Sequence, residues 1–278
     1  MEVAKIRGVE LHYEILGDRG PFVALQPGGR RGAVAVRPLA AKIAEAGYRV
    51  VVYDRRNTGA SDVSIDGDSE NDVWADDLHK LLKHIDASPA YIGGSSSGCR
   101  LAMILALRHP KAVRGLLLWR ITGGAHAAQH LTNQYYTSHI EAAQKDGMAA
   151  VCAMEHWAEM IANNPKNRDR LMAMEPQDFI DRMRRWQKSF DAGAEHPVIG
   201  LSPADLRSME MPACVVPGND RVHPRHPGQV AHRLMPNAEY HEVLTEDRTD
   251  MDIAFADWEA KEGLLASIFI DFMRRQRR

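Results

Sequence analysis

Two rhythms of hydrophobic and polar positions alternate along the first part of the chain. Phe22-Val23-Ala24-Leu25 is an unbroken apolar run that stops at Pro27-Gly28-Gly29. Leu39 to Ala46 has helical spacing and ends at Gly47. Tyr48-Arg49-Val50-Val51-Val52-Tyr53 is a second strand-like run, giving way to a polar loop from Asp54 to Asp62. Trp74, Leu78, Leu81, Leu82 and Ile85 then fall on one helical stripe, the pattern of a helix lying on a sheet. Tyr91-Ile92 leads into Gly93-Gly94-Ser95-Ser96-Ser97-Gly98, Leu101 to Leu107 is a nearly all-apolar helix, and Val113 to Trp119 is another strand. Strands alternating with helices of this length predict an α/β fold: a doubly wound, mostly parallel sheet with helices on both faces.

The rhythm changes from Gly123 to Ser202, where no strand-like run occurs and Pro165, Pro176 and Pro197 interrupt helical spacing. This segment, 123–202, is expected to be a helical insertion over a core made of 1–122 and 203–278. Its methionines (Met148, Met154, Met160, Met172, Met174 and Met183) fit either helix core or a pliable apolar lining for a ligand. The α/β pattern resumes with Ala213-Cys214-Val215-Val216, a helix around Val230 to Leu234, a strand at Tyr240 to Leu244, and a last helix at Leu264 to Met273.

Of the 278 residues 45% are apolar and 26% charged, which excludes a disordered, collagenous or coiled-coil chain. A net charge of −2 leaves no overall field to attract nucleic acid or anionic membrane. The basic run Met273-Arg274-Arg275-Gln276-Arg277-Arg278 reads as a solvated terminus. Cys99, Cys152 and Cys214 are too few and too scattered for a disulfide framework or a zinc knuckle, and read as small core residues in a reducing compartment. Met1-Glu2-Val3-Ala4-Lys5 lacks a secretory apolar region, and no stretch is apolar for long enough to span a membrane. The expectation is a cytoplasmic protein whose partner is a small molecule, with no nucleic-acid or membrane partner.

Gly94-Ser95-Ser96-Ser97-Gly98 places Ser96 at the centre of G-x-S-x-G, between a strand that ends at Ile92 and an apolar helix. A sharp strand-to-helix turn forces the central residue into a strained conformation and presents it at the sheet's edge beside a helix N-terminus.

With these residues the chain resembles the α/β-hydrolase fold family, in the capped branch that holds esterases, lactonases and carbon–carbon bond hydrolases. Leu25-Gln26-Pro27-Gly28-Gly29 sits where the family has a strand followed by His-Gly. Asp54-Arg55-Arg56-Asn57-Thr58-Gly59-Ala60-Ser61-Asp62 matches the family's D-x-R-x-x-G-x-S loop, and Pro217-Gly218-Asn219-Asp220-Arg221-Val222-His223-Pro224 resembles the loop carrying the acid. The insertion corresponds to the family's variable cap. The resemblance implies Ser96 as nucleophile, Asp220 as the acid that orients the base, and an oxyanion hole from the N–H groups of Gly29 and Ser97. The family's His-Gly is Pro27-Gly28 here, which leaves the backbone donors in place. A serine at the elbow argues against dehalogenases and epoxide hydrolases, which attack with a carboxylate.

The family's base follows the last strand, but here that loop reads Thr245-Glu246-Asp247-Arg248-Thr249-Asp250-Met251-Asp252. His241 is the last of the 13 histidines, and Arg248 falls at the base's position. Serine needs a base to take its proton, so another residue must serve. The candidates are His223, three residues after Asp220; His126, in the loop that follows Trp119; and the acidic cluster Asp247, Asp250 and Asp252. His241 and His232 are discounted as mid-strand and helical. The expected function is a serine hydrolase of a small ester, lactone or related acyl compound, working through a Ser96 acyl-enzyme with no cofactor and no metal. Alternatives are a carbon–carbon bond hydrolase or cofactor-free enzyme, or a degenerate member that binds a ligand without turnover.

Overall fold

The computed structural model describes residues 1–249 and 255–276. In chain order the elements are β1 (Glu2–Ile6), β2 (Val9–Leu16), β3 (Phe22–Gln26), α1 (Arg37–Glu45), β4 (Arg49–Tyr53), α2 (Glu70–His84), β5 (Ala90–Ser95), α3 (Ser97–Arg108) and β6 (Val113–Trp119). A helical stretch follows: α4 (Ala125–Thr132), α5 (Ser138–Ala153), α6 (Glu155–Asn163), α7 (Lys166–Met172), α8 (Pro176–Asp191) and the short α9 (Pro203–Arg207). The chain closes with β7 (Ala213–Val216), α10 (Arg225–Leu234), β8 (Ala238–Tyr240), α11 (Phe255–Glu259) and α12 (Glu262–Arg275).

The eight strands form one sheet in the order β1-β2-β4-β3-β5-β6-β7-β8. The β1–β2 and β2–β4 pairs are antiparallel and the other pairs parallel. The antiparallel start went unread in the sequence, although Val9, Leu11 and Tyr13 alternate inward along β2. The last strand is shorter and earlier than the Tyr240–Leu244 expectation. β7 offers only four residues to pair with, and the ladder ends as His241 N–H donates to Val215 C=O.

The central strands are buried on both faces, as parallel strands between helical layers must be. Ala24, Val51, Ile92, Leu116 and Val215 pack against α2, α3 and α10. Their neighbours Val23, Val50, Tyr91, Leu117 and Cys214 pack against α1 and α12. Helices α4 to α8 have a core of their own around Trp157, Phe179, Met183 and Trp186, joined by Val63, Ile65 and Val222. Pro165 precedes α7 and Pro176 opens α8, where a missing N–H costs no hydrogen bond. Met148, Met160 and Met183 are buried there, Met172 is exposed, and none of the six methionines lines the cleft described below. No helix among the described residues is long and apolar enough to cross a membrane.

After β3 the chain crosses to β4 on one side, and after β5 it crosses to β6 on the other. The sheet's winding therefore reverses between β3 and β5, and such a reversal opens a crevice at the carboxyl ends of the strands. Gly28, Gly29 and Ser96 follow those two strand ends.

Candidate active site

Ser96 joins β5 to α3 with φ 55° and ψ −113°, a left-handed conformation for a residue with a side chain. Its neighbours explain how the turn closes. A Cβ on Gly94 would lie 2.3 Å from the carbonyl carbon of Gly98, and one on Gly98 would lie 2.6 Å from the Gln26 carbonyl oxygen. Both positions therefore require glycine. Ser96 C=O accepts from the N–H groups of Cys99 (3.0 Å) and Arg100 (3.3 Å), so the strained residue is locked onto the helix it begins.

The loop after β7 brings both polar partners to that serine. His223 Nε2 lies 2.9 Å from Ser96 Oγ, and His223 Nδ1 lies 2.9 and 3.0 Å from the two oxygens of Asp220. Asp220 Oδ1 also accepts from the N–H groups of Val222 (3.0 Å) and His223 (2.6 Å), which folds the loop into a turn that stacks the two side chains together. The turn requires Gly218, because a Cβ there would lie 2.2 Å from His223 C=O. Ser96, Asp220 and His223 are all buried. Burial pushes the Asp220 carboxyl up, but the His223 hydrogen bond and the charges of His223 and Arg120 outweigh it and hold the group at about 2. Asp220 is thus ionised at neutral pH and takes the Nδ1 proton as a hydrogen bond, leaving Nε2 to accept from Ser96.

Gly29 and Ser97 are tied to each other. Ser97 Oγ donates to Gly29 C=O at 2.9 Å, and Arg55 donates to the same oxygen at 2.7 Å and to Ser97 Oγ at 3.2 Å. Ser97 opens α3, so its N–H is one of those a helix start leaves without an intrahelical partner. Arg55 is fully buried, with its guanidinium 4.2 Å from the Trp74 ring centroid. Asp54 anchors the same loop by accepting from the N–H groups of Ala33 (2.7 Å) and Ala60 (2.8 Å). A Cβ on Gly59 would lie 2.2 Å from the Asp54 carboxylate, which accounts for the glycine in that motif.

Ser96 and His223 open on a cleft of about 280 Å³, walled by Gly28, Gly29 and Arg31 on one side and by helices α4 to α6 on the other. The walls are polar, with His130, Gln134, Tyr135, His139, Glu155, His156 and Glu159 outnumbering Leu131 and Val222. Burial, and then the charge of Arg30, hold the His139 imidazole down at about 3 and push His156 well below its ordinary value. Both rings are therefore neutral. Arg120, at φ 57°, follows β6 and donates to Asp220 Oδ2 at 3.1 Å, with the same nitrogen 3.2 Å from His223 Nδ1.

Of the three candidate bases, His223 alone reaches Ser96 among the described residues. His126 stands exposed on the first turn of α4 and does not line the cleft. Exposed Asp247 pairs with Arg225 at 2.6 Å, and Asp250 and Asp252 lie outside the described residues. Exposed Arg248, at the usual base position, donates its backbone N–H to Asn219 C=O at 2.7 Å and pairs with Asp257 at 3.3 Å. Arg120 was missed in the sequence, although its signal was there: it follows Trp119, which pairs with Ser95 across the parallel ladder and so ends at the same edge. Tyr135 gave no signal, since nothing in a helical segment marks which face looks at a distant serine.

The family model for the alpha/beta hydrolase fold matches residues 21–168. Over 115 residues the chain is 36% identical to an uncharacterized hydrolase, YraK, of Bacillus subtilis (strain 168), a match covering 41% of each protein. The chain spans about two fifths of the length of the curated relatives it matches. Among solved structures it is similar to an enol-lactonase from Burkholderia xenovorans LB400, with 17% identity, a TM-score of 0.64, and 98% of this chain and 100% of that one covered. It is also similar to a thermophilic esterase from Thermogutta terrifontis, with 21% identity, a TM-score of 0.65 and all of both chains covered. At such identities these two likenesses concern the fold. The family match spans more than half of the chain and includes β3 to β6 and the Ser96 turn, so the chain belongs to the alpha/beta hydrolase fold family.

Proposed function

We propose that the chain is a serine hydrolase of small polar esters, lactones or related acyl compounds. The observation that carries this reading is the unbroken line from Ser96 Oγ through His223 to Asp220, with contacts of 2.9 to 3.0 Å. Ser96 Oγ attacks the acyl carbon as His223 Nε2 takes its proton, and ionised Asp220 stabilises the imidazolium through Nδ1. The N–H groups of Gly29 and Ser97 receive the charge that develops on the carbonyl oxygen. His223 then passes its proton to the leaving oxygen, and water, activated by the same imidazole, releases the acid from Ser96. Helices α4 to α8, within 123–202, act as the cap, and the cleft's polar walls favour a small hydrophilic substrate over a long acyl chain. The three cysteines are free and buried, which suits a cytoplasmic setting. A degenerate binding role is disfavoured, because a pure binder has no use for a strained serine joined to an ordered base.

Reaction with a fluorophosphonate, with mass mapping of the adduct, tests this. Wild type should be labelled at Ser96, His126→Ala should be labelled at the wild-type rate, and His223→Ala should be slower by about 10³-fold or more. An unlabelled wild type overturns the serine mechanism, and fast labelling of His223→Ala overturns the base.

A further inference from the structure

Among the helices above the sheet, a π-helical turn borders the cleft that holds the serine. Between α4 and α5 the chain makes a single π-helical turn, Asn133–Thr137, in which Ser138 N–H donates to Asn133 C=O. A π turn re-aims side chains that a continuous α-helix would place elsewhere, and such turns recur at functional sites. Here Tyr135 and Tyr136 both face inward. Tyr136 is buried, and its hydroxyl lies 3.4 Å from Glu70 Oε2. Tyr135 lines the cleft together with Gly29, Ser96 and His223.

The Tyr135 hydroxyl stands beside the Gly29 backbone, since a Cβ built on Gly29 would lie 3.4 Å from Tyr135 Oη. That hydroxyl has no hydrogen-bond partner among the described residues, although the ring is held on two sides. The Arg30 guanidinium sits 5.4 Å from its centroid, and the Tyr136 ring meets it edge-on at 6.4 Å. Arg30 is fixed in turn by Glu70, at 3.1 Å. Burial raises the Tyr135 phenol above its ordinary value, so it keeps its proton at neutral pH and can donate.

We propose that Tyr135 is a third donor of the oxyanion hole, its hydroxyl bonding the substrate's carbonyl oxygen alongside the N–H groups of Gly29 and Ser97. The inference rests on the serine-hydrolase reading above. It involves no proton transfer: the phenol lends a hydrogen bond that strengthens as the carbonyl oxygen gains charge, and keeps its proton throughout.

Tyr135→Phe isolates the hydroxyl, because phenylalanine retains the ring, its place over Arg30 and its contact with Tyr136. The variant should lose on the order of 10²-fold in kcat with KM changed by less than about twofold. A boronic acid that mimics the tetrahedral intermediate should bind it more weakly by a similar factor, with the melting temperature unchanged. A merely structural tyrosine would shift KM or the melting temperature instead, and that result overturns the proposal. So does a Tyr135→Phe protein that keeps wild-type kcat and boronate affinity while wild type is labelled by fluorophosphonate. A wild type that takes no fluorophosphonate overturns the serine reading, and this one with it.

Discussion

Asp220 meets His223, Arg120 and two backbone N–H groups in the folded chain, and only water in the unfolded one. Its carboxyl sits at about 2 when folded against an ordinary 3.8, so above pH 4 or so the folded state gains from its ionisation. As pH falls from there towards 2, the unfolded chain takes up the proton first and that gain is lost. Urea unfolding of wild type and Asp220→Asn from pH 6 to pH 2 should therefore show a stability gap that narrows through the lower part of this range; a constant gap contradicts the assignment. At this scale the sequence was informative where chemistry is local. Ser96 and Asp220 were legible from the residues on either side of them. His223 could be nominated from its distance to Asp220 along the chain, but not chosen, because its contact with Ser96 joins residues far apart in sequence.

Loops, rather than helices or strands, position the polar groups, and each loop is closed by a glycine that a side chain would prop open. In the loop after β7, Gly218 lets the chain fold back until His223 lies on Asp220. Gly218→Ala should displace the imidazole and slow fluorophosphonate labelling of Ser96 by roughly 10²-fold, with the far-ultraviolet circular dichroism unchanged. Labelling at the wild-type rate would show that the loop tolerates the methyl group. Element existence was legible for β3 to β7 and their helices, because buried parallel strands are short apolar runs bounded by breakers. The end of β8 was not, since it depends on how far β7 extends beside it. The motif loop from Asp54 to Asp62 was recognised as a pattern, but its work, holding the Gly29 carbonyl through Arg55, emerges only in three dimensions.

Across the whole molecule, the helices of 123–202 are fastened to the loop that follows β4 through the segment from Ala60 to Gly67. Asn167, fully buried, accepts from Val63 N–H at 2.9 Å and donates to Ser61 C=O at 3.0 Å, while Arg170 pairs with Asp62 at 2.7 Å. Asn167→Ala would leave two buried backbone groups without partners, at a cost of about 2 kcal/mol or more. The urea midpoint should fall accordingly, and KM should rise more than kcat falls, because the cleft's upper wall hangs from this joint; an unchanged midpoint and KM would exclude that role. The helical rhythm of 123–202 was legible in the sequence, but the points that fasten these helices lie in polar residues whose partners are a hundred positions away. Asp220 and His223 share a single turn. Four consecutive codons, 220 to 223, encode both of the serine's polar partners. A short deletion there would erase the pair at one stroke, and a single crossover could transplant it whole.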